Sequence, residues 1–221
     1  MRQRKLRQYQ GQLSTHQISD GMNASAANAE RLAFDAQILL KAARYPSAAS
    51  LAILSLEESG KMSILRELAT SLRDRKTTEI WRRYRRHTEK NYLGLIPDLV
   101  AKGARTLREL GKSLLDDGLA DRVALDIVKQ LGFYTDCCGD AHWSIPAEII
   151  DKDLAHALVS VATRLAKTVR PMSEAELELW VMHMQGGPTK ENLLRWATAM
   201  VSAGLKPRGY VGEMTRFTAD F

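Results

Sequence analysis

The segment from Ile80 to Asn91, IWRRYRRHTEKN, carries the side chains best suited to chemistry on a phosphate group. It holds four arginines, one histidine and one lysine, with Glu89 as its single acid. A histidine titrates near neutral pH, so it can act as general base on a ribose 2′-hydroxyl or as general acid on the departing 5′-oxygen. An arginine guanidinium can grip the phosphate and stabilise the extra charge of the transition state. The residue types therefore fit RNA cleavage without a metal ion.

Helical spacing limits how these side chains can meet. One face of a regular helix would carry Arg83, His87, Lys90 and Asn91, and another would carry Arg82, Arg85, Arg86 and Glu89. Arg82 and His87 are five residues apart, so they point about 140° apart on a straight helix. A catalytic pair needs either a break in the helix near His87 or a twofold partner that brings a second copy of each side chain. The alternative is a solvated basic face that carries a histidine by chance.

Charge along the chain is concentrated around the same segment. The 221 residues have a formal net charge of +6 and a sequence pI of about 9.4. Eight basic and three acidic residues lie between Arg73 and Lys90, a local net charge of +5. A basic protein favours an anionic partner, either nucleic acid or a membrane surface. No apolar segment is long enough to span a bilayer, so we expect RNA as the partner and no membrane.

The two cysteines, Cys137 and Cys138, are adjacent in sequence, which indicates a reducing compartment and a cytoplasmic protein. Asp140 and His142 follow them and add metal-ligand types. A structural zinc site usually has two separated ligand pairs, and this chain has one short cluster. The sequence also lacks a phosphate-binding glycine loop, because EESGKMS has no first glycine and no preceding strand. We therefore expect neither a metal nor a cofactor.

Apolar periodicity predicts an all-α chain. A first helix is expected from Asn23, and a second begins near Pro46, which suits a first helical turn. The second helix is apolar nearly all round, which is typical of a central helix in a bundle. It ends in acids, including Glu57 and Glu58, which are expected to face outward or to pair with nearby arginines. Further helices are predicted from Thr77 or Thr78 to about Pro97, over 121–134, and over 147–168.

The C-terminal part predicts a separate helical hairpin over residues 173–204. Ser173 and Glu176 form a capping-box pattern, and Gly204 suits a helix end. Trp180 and Trp196 are expected to pack this hairpin, and the tail after it is expected to be irregular. The predicted division is a basic arm over 1–22, a helical bundle over 23–170, and the hairpin with its tail over 171–221.

Three stretches in this order resemble the AbiV family of abortive-infection proteins, a branch of the HEPN superfamily. They are ARYPSAASLAILSLEESGKMSIL, WRRYRRHTEKN and QLGFYTDCCGDAHWSIPAEII. The first resembles the family's alanine-rich helix that leads into Glu-Glu-x-Gly-Lys. The second resembles its aromatic-Arg-x-His-x-x-Lys stretch, and the third its Leu-Tyr-x-Asp and Trp-x-x-Pro segment. The resemblance covers about Ala29 to Thr168.

The resemblance implies a HEPN-like bundle of about five helices, usually a homodimer, that acts in bacterial defence against phage. HEPN ribonucleases carry an Arg-x(4–6)-His motif, and Arg82 and His87 fit its four-residue spacing as the catalytic pair. The common motif has a small polar residue after the arginine, whereas this chain has Arg83, and Arg85 is the alternative functional arginine. The residues expected to bind RNA or to support the site are Arg83, Arg85, Arg86, Lys90, Asn91, Glu57, Lys61 and Tyr134.

Two other functions stay open from the sequence. Many HEPN domains bind without cutting, so the chain could be a non-catalytic interaction module that grips a phage or host protein, such as part of the translation machinery. The third possibility is a basic helical protein whose arginines are merely solvated.

Overall fold

The computed structural model describes residues 8–71, 77–85, 122–135, 137–138 and 142–219. Nine helices occur within these ranges: α1 (Thr15–Lys41), α2 (Tyr45–Thr70), α3 (Thr77–Arg85), α4 (Arg122–Phe133), α5 (Pro146–Ile149), α6 (Lys152–Thr168), α7 (Glu174–His183), α8 (Lys190–Ser202) and α9 (Tyr210–Phe217). Two short strands, β1 (Cys137–Cys138) and β2 (His142–Trp143), pair antiparallel. The predicted all-α bundle with an extra C-terminal hairpin is confirmed. None of the described helices is both long and apolar enough to cross a membrane.

Helix α2 is the centre of the bundle, as its apolar sequence predicts. It packs against α1, α3, α4 and α6, and its buried side chains include Ile53, Leu56 and Leu68. Pro46 lies in its first turn, where the missing N–H leaves no hydrogen bond unmade. A hydroxyl group also connects α2 to α1, because Ser55 Oγ donates a hydrogen bond to the Ala29 carbonyl at 2.7 Å. Because most side chains of α2 are buried or partly buried, the helix holds the site residues that it carries in fixed positions relative to the bundle.

Helix α4 lies unusually close to α2 because Gly132 has no side chain. A Cβ atom at this position would stand 2.9 Å from the Pro46 carbonyl oxygen, which is closer than real Cβ contacts allow. The close approach lets Ser50 Oγ donate to the Lys129 carbonyl at 3.2 Å. Gly132 falls in the QLGFY stretch, so a packing requirement accounts for the glycine there.

Several helix boundaries differ from the sequence predictions. Helix α1 begins at Thr15 rather than Asn23, because Ser14 and Gln17 form a capping box that starts it earlier. The predicted helix over 147–168 is two helices, because Ile150 is extended and the Asp151 side chain caps α6 by accepting from the Leu154 N–H. The tail is helical over Tyr210–Phe217, not irregular.

The C-terminal helices α7 and α8 form the predicted hairpin. The Ser173–Glu176 capping box is present, and Trp180 and Trp196 pack edge to face with their ring centroids 5.2 Å apart. Gly204 takes a left-handed φ of 71° after α8. Buried Leu177 shares one apolar cluster with Trp81 and with α1 and α2, so the hairpin packs directly on the bundle. The division of the chain at residues 22 and 170 stays a prediction.

The hairpin is also held by a charged group. The Glu176 carboxylate accepts from Lys206 Nζ at 2.8 Å and from the Ser173 backbone N–H at 2.9 Å. Burial alone would raise the pKa of Glu176, but the hydrogen bonds and the charge of Lys206 together outweigh it and lower this pKa. The hairpin is therefore stabilised by an ionised Glu176.

Candidate RNA-binding segment on helix α3

Helix α3 carries the start of the basic segment and is anchored by Trp81. The indole is buried, and its Nε1 donates to the Gly11 carbonyl at 2.9 Å. Its ring packs edge to face against Tyr84 at 5.4 Å and against Tyr9 at 6.2 Å. Ile80 lies beside it in the same apolar cluster. These contacts fix which side of α3 faces the bundle and which arginines face outward.

The three arginines of α3 lie in three different environments. Arg82 is the most exposed, with 60% of its side-chain surface accessible, and pairs with Glu79 one turn earlier. Arg83 donates to both carboxylate oxygens of Glu67 at 2.7 Å, which ties α3 to α2. Arg85 lies over the Trp81 ring at 5.7 Å from the centroid. An incoming phosphate would therefore meet Arg82 with least rearrangement, because exposed pairs such as Arg82–Glu79 are weak.

Arg85 has a further contact that holds it in place. Its Nη2 donates to the Tyr9 carbonyl at 2.5 Å. The segment before α1 therefore covers part of the basic segment from one side. Using Arg85 as the functional arginine would require this contact to be given up.

The remaining predicted residues of the segment lie outside the described residues. They are Arg86, His87, Lys90 and Asn91. Whether His87 meets Arg82 in one cleft stays a prediction.

The predicted supporting residue Glu57 is buried in the bundle. Its carboxylate binds Lys129 Nζ of α4 at 2.6 Å, and Lys129 also lies 2.8 Å from Asp126. Glu58 pairs with Lys61 at 2.6 Å. Glu57 therefore does not face outward as one prediction had it, and the cations described beside Glu57 and Glu58 are lysines. Buried Glu57 holds α4 against α2, which is a structural role.

The other two supporting residues lie in separate places, with the Lys61 side chain largely buried and Tyr134 exposed. Lys61 Nζ is 5.3 Å from the centroid of the Tyr84 ring, so Lys61 contacts α3. Tyr134 follows α4 and has 63% of its surface exposed. Lys61 is therefore the predicted supporting residue that the structure brings next to the basic segment.

Sequence reasoning missed the residues that position α3. Glu67 was not singled out, although it binds Arg83 from 16 residues away. Tyr9 and Gly11 lie in a polar stretch with no periodic pattern, so no signal in the sequence marks their contacts with Trp81 and Arg85. Within the described residues, no group of three or more histidine, cysteine, aspartate or glutamate side chains could hold a metal ion.

Large apolar side chains are exposed from the end of α4 to the end of α5. They include Phe133, Tyr134, Trp143, Ile145 and Ile149. Trp143, on β2, has 61% of its surface accessible. A concentration of exposed aromatic and aliphatic side chains is typical of a surface that contacts another protein.

Comparison with protein families gives a match that covers more than half of the chain. The model of the family HEPN_AbiV, described as AbiV, matches residues 17–167. No curated protein and no solved structure gives a significant match. The matched range begins in α1 and ends in α6, so it includes α3 and leaves out the C-terminal hairpin.

Proposed function

The chain belongs to the HEPN_AbiV family, and from that premise we propose that it is an abortive-infection protein that binds RNA and cleaves it without a metal ion. Family membership supports an abortive-infection, HEPN-type function. The observation that carries the step to RNA is the placement of Arg82. It lies outward on a helix that Trp81 and Arg83 lock to the bundle, five residues before His87.

In the proposed reaction, His87 removes the proton from a ribose 2′-hydroxyl, and the 2′-oxygen attacks the adjacent phosphorus. The bond from phosphorus to the 5′-oxygen breaks, and that oxygen takes a proton from a general acid. The products are a 2′,3′-cyclic phosphate and a 5′-hydroxyl. Arg82 holds the phosphate and stabilises the charge that develops on its oxygens. Arg86 and Lys90 would follow the backbone and make binding salt-dependent.

A homodimer would supply the second copy of the pair that one straight helix cannot bring together. The exposed side chains between Phe133 and Ile149 support this part of the proposal, because they offer apolar surface for a second protein chain. Tyr134 and Trp143 are the largest of them and the best candidates for its centre.

The test is RNA cleavage by the purified protein in the presence of a chelator. We expect His87→Ala and Arg82→Ala to lower the cleavage rate by at least 100-fold, the scale of one general acid–base or charge-stabilising group. Arg31→Ala is the matched control, because Arg31 is exposed and its described partners, Asn28 and Asp35, lie on its own helix. Cleavage that survives His87→Ala at the parent rate would refute the catalytic assignment.

A second candidate function is a non-catalytic module that binds a phage or host protein. The same exposed Tyr134 and Trp143 favour it, because such a surface would equally suit a different protein chain. It predicts that defence against phage survives His87→Ala and is lost with Tyr134→Ser or Trp143→Ser. The RNA-cleaving function predicts that His87→Ala abolishes defence.

A further inference from the structure

A pocket of about 560 Å³ lies where the C-terminal hairpin meets the bundle. Its walls come from the end of α2, from Ile80 of α3, from Trp180 of α7 and from the turn that follows α7. This volume lies within the range of small-molecule sites, which is about 300–1,000 Å³. The hairpin is outside the range matched by the family, so the pocket combines matched and unmatched parts of the chain.

Arg66 brings a guanidinium to the wall of this pocket. Its buried Nε has no hydrogen-bond acceptor among the described residues. The guanidinium lies 5.3 Å from the centroid of the Trp180 ring. Burial lowers the pKa of Arg66, an effect that Tyr210 and Glu176 offset in part. A guanidinium on the wall of a pocket favours an anionic ligand there, because it offers charged hydrogen-bond donors to phosphate or carboxylate oxygens.

The acid beside Arg66 does not prevent anion binding. Glu67 also lines the pocket, but Arg83 binds both of its carboxylate oxygens at 2.7 Å. The Glu67–Arg83 pair is neutral overall, and so is the pair that Glu176 forms with Lys206, so the charge of Arg66 stays available to a ligand.

The rest of the lining fits the organic part of a ligand. Trp180, Ile80, Met184 and Pro188 give an apolar wall, while Ser63 and Gln185 add polar groups. Gly186 and Gly187 form the turn with φ values of 84° and 106°, which glycine adopts without strain. An aromatic wall beside a cation suits a ring that carries an anionic group.

We propose that this pocket binds a small phosphate ester with a ring system, of nucleoside monophosphate size. Its phosphate accepts from the Arg66 guanidinium, and its ring lies against Trp180 and Met184. The ligand would join α2 to the turn after α7 and would stabilise the docked hairpin. The proposal is independent of whether the chain cleaves RNA.

The test is calorimetric titration of the full chain with 5′-AMP, adenosine, inorganic phosphate and a 12-nucleotide RNA. We expect saturable binding of 5′-AMP and weaker binding of adenosine and of phosphate alone. Arg66→Met keeps the apolar stem over Trp180 and should weaken 5′-AMP binding about tenfold or more. Arg31→Met is the matched control and should leave binding unchanged, because Arg31 is exposed on α1.

A second variant covers the case in which Arg66→Met does not fold. Ser63→Phe leaves the charge of Arg66 in place and fills the pocket, so it should also abolish 5′-AMP binding. Absence of 5′-AMP binding at millimolar concentration, or equal binding by both variants and the parent, would overturn the proposal. Tighter binding of the 12-nucleotide RNA that depends equally on Arg66 would also overturn it, by assigning Arg66 to an RNA surface.

Discussion

Lys129→Met should strongly destabilise the protein, because it removes the α4 cation that binds the buried Glu57 carboxylate. The two side chains are 3% and 5% exposed and lie 2.6 Å apart, between α2 and α4. Breaking a buried pair by removing one partner costs about 3–5 kcal/mol. For a chain of this length, that loss corresponds to a fall in the unfolding temperature of roughly 6–20 °C. Exposed pairs contribute only about 0–1 kcal/mol, so Arg31→Met should change stability little.

The two partners of this pair should not be equivalent. Glu57→Gln leaves Lys129 with Asp126, which lies 2.8 Å from its Nζ and is partly exposed. The loss should therefore be smaller than for Lys129→Met, which removes a cation that contacts two carboxylates. The double variant Glu57→Leu with Lys129→Met removes both charges and should recover most of the stability.

Urea unfolding followed by circular dichroism of the parent, Glu57→Leu, Lys129→Met and the double variant gives the four free energies of a double-mutant cycle. A favourable coupling energy of about 2 kcal/mol or more between Glu57 and Lys129 is expected. A loss below about 1 kcal/mol for Lys129→Met, or a double variant no more stable than that single variant, would refute the structural role of Glu57. RNA cleavage by the double variant at the parent rate would separate this role from catalysis.

Two further predictions concern the elements that surround the candidate site. Glu176→Gln keeps the capping box but loses the charge that pairs with Lys206, so it should cost about 1 kcal/mol at neutral pH. The pKa of Glu176 is lowered in the folded state, so its contribution to stability is fully present above its ordinary pKa of 4.5. This contribution is lost as pH falls through the lowered folded pKa. The free energies of unfolding of the parent and of Glu176→Gln should therefore converge in acid. Trp81→Phe removes the hydrogen bond to the Gly11 carbonyl and should cost about 1–2 kcal/mol in urea, with a lower RNA cleavage rate because α3 is less firmly held. An unchanged rate for a destabilised Trp81→Phe would contradict the second prediction.

The bundle could be predicted because its helices bury apolar stripes of regular period. Ala29, Ala33 and Ala36 of α1 recur at helical spacing and are all buried. The first turns of α1 have few apolar residues, so apolar periodicity predicts the start of the helix too late. The S-x-x-Q pattern of Ser14 and Gln17, which is a capping box, marks the true start. Apolar spacing continues across Ile150, so it concealed the break that Asp151 creates by capping α6.

The contacts of the candidate site were less predictable because they join distant parts of the chain. Sequence reasoning identified Glu57 as an acid that needs a partner, but Lys129 lies 72 residues away and no local pattern selects it. The same holds for Trp81, whose partner Gly11 is 70 residues earlier. The residue types of α3 could be identified from the sequence, whereas their division into one outward arginine and two engaged arginines depends on tertiary contacts.

Neighbouring residues at the end of α2 connect the C-terminal hairpin to the basic segment. Arg66 lies over Trp180 of α7, while Glu67 holds Arg83 of α3. Both sit on one buried helix, so neither contact can shift far without disturbing the other. Trp81 packs in the same apolar cluster as α7. The hairpin is therefore connected to α3 through α2 and through a shared apolar cluster. A ligand bound at Arg66 would contact α2 next to Glu67, the residue that binds Arg83.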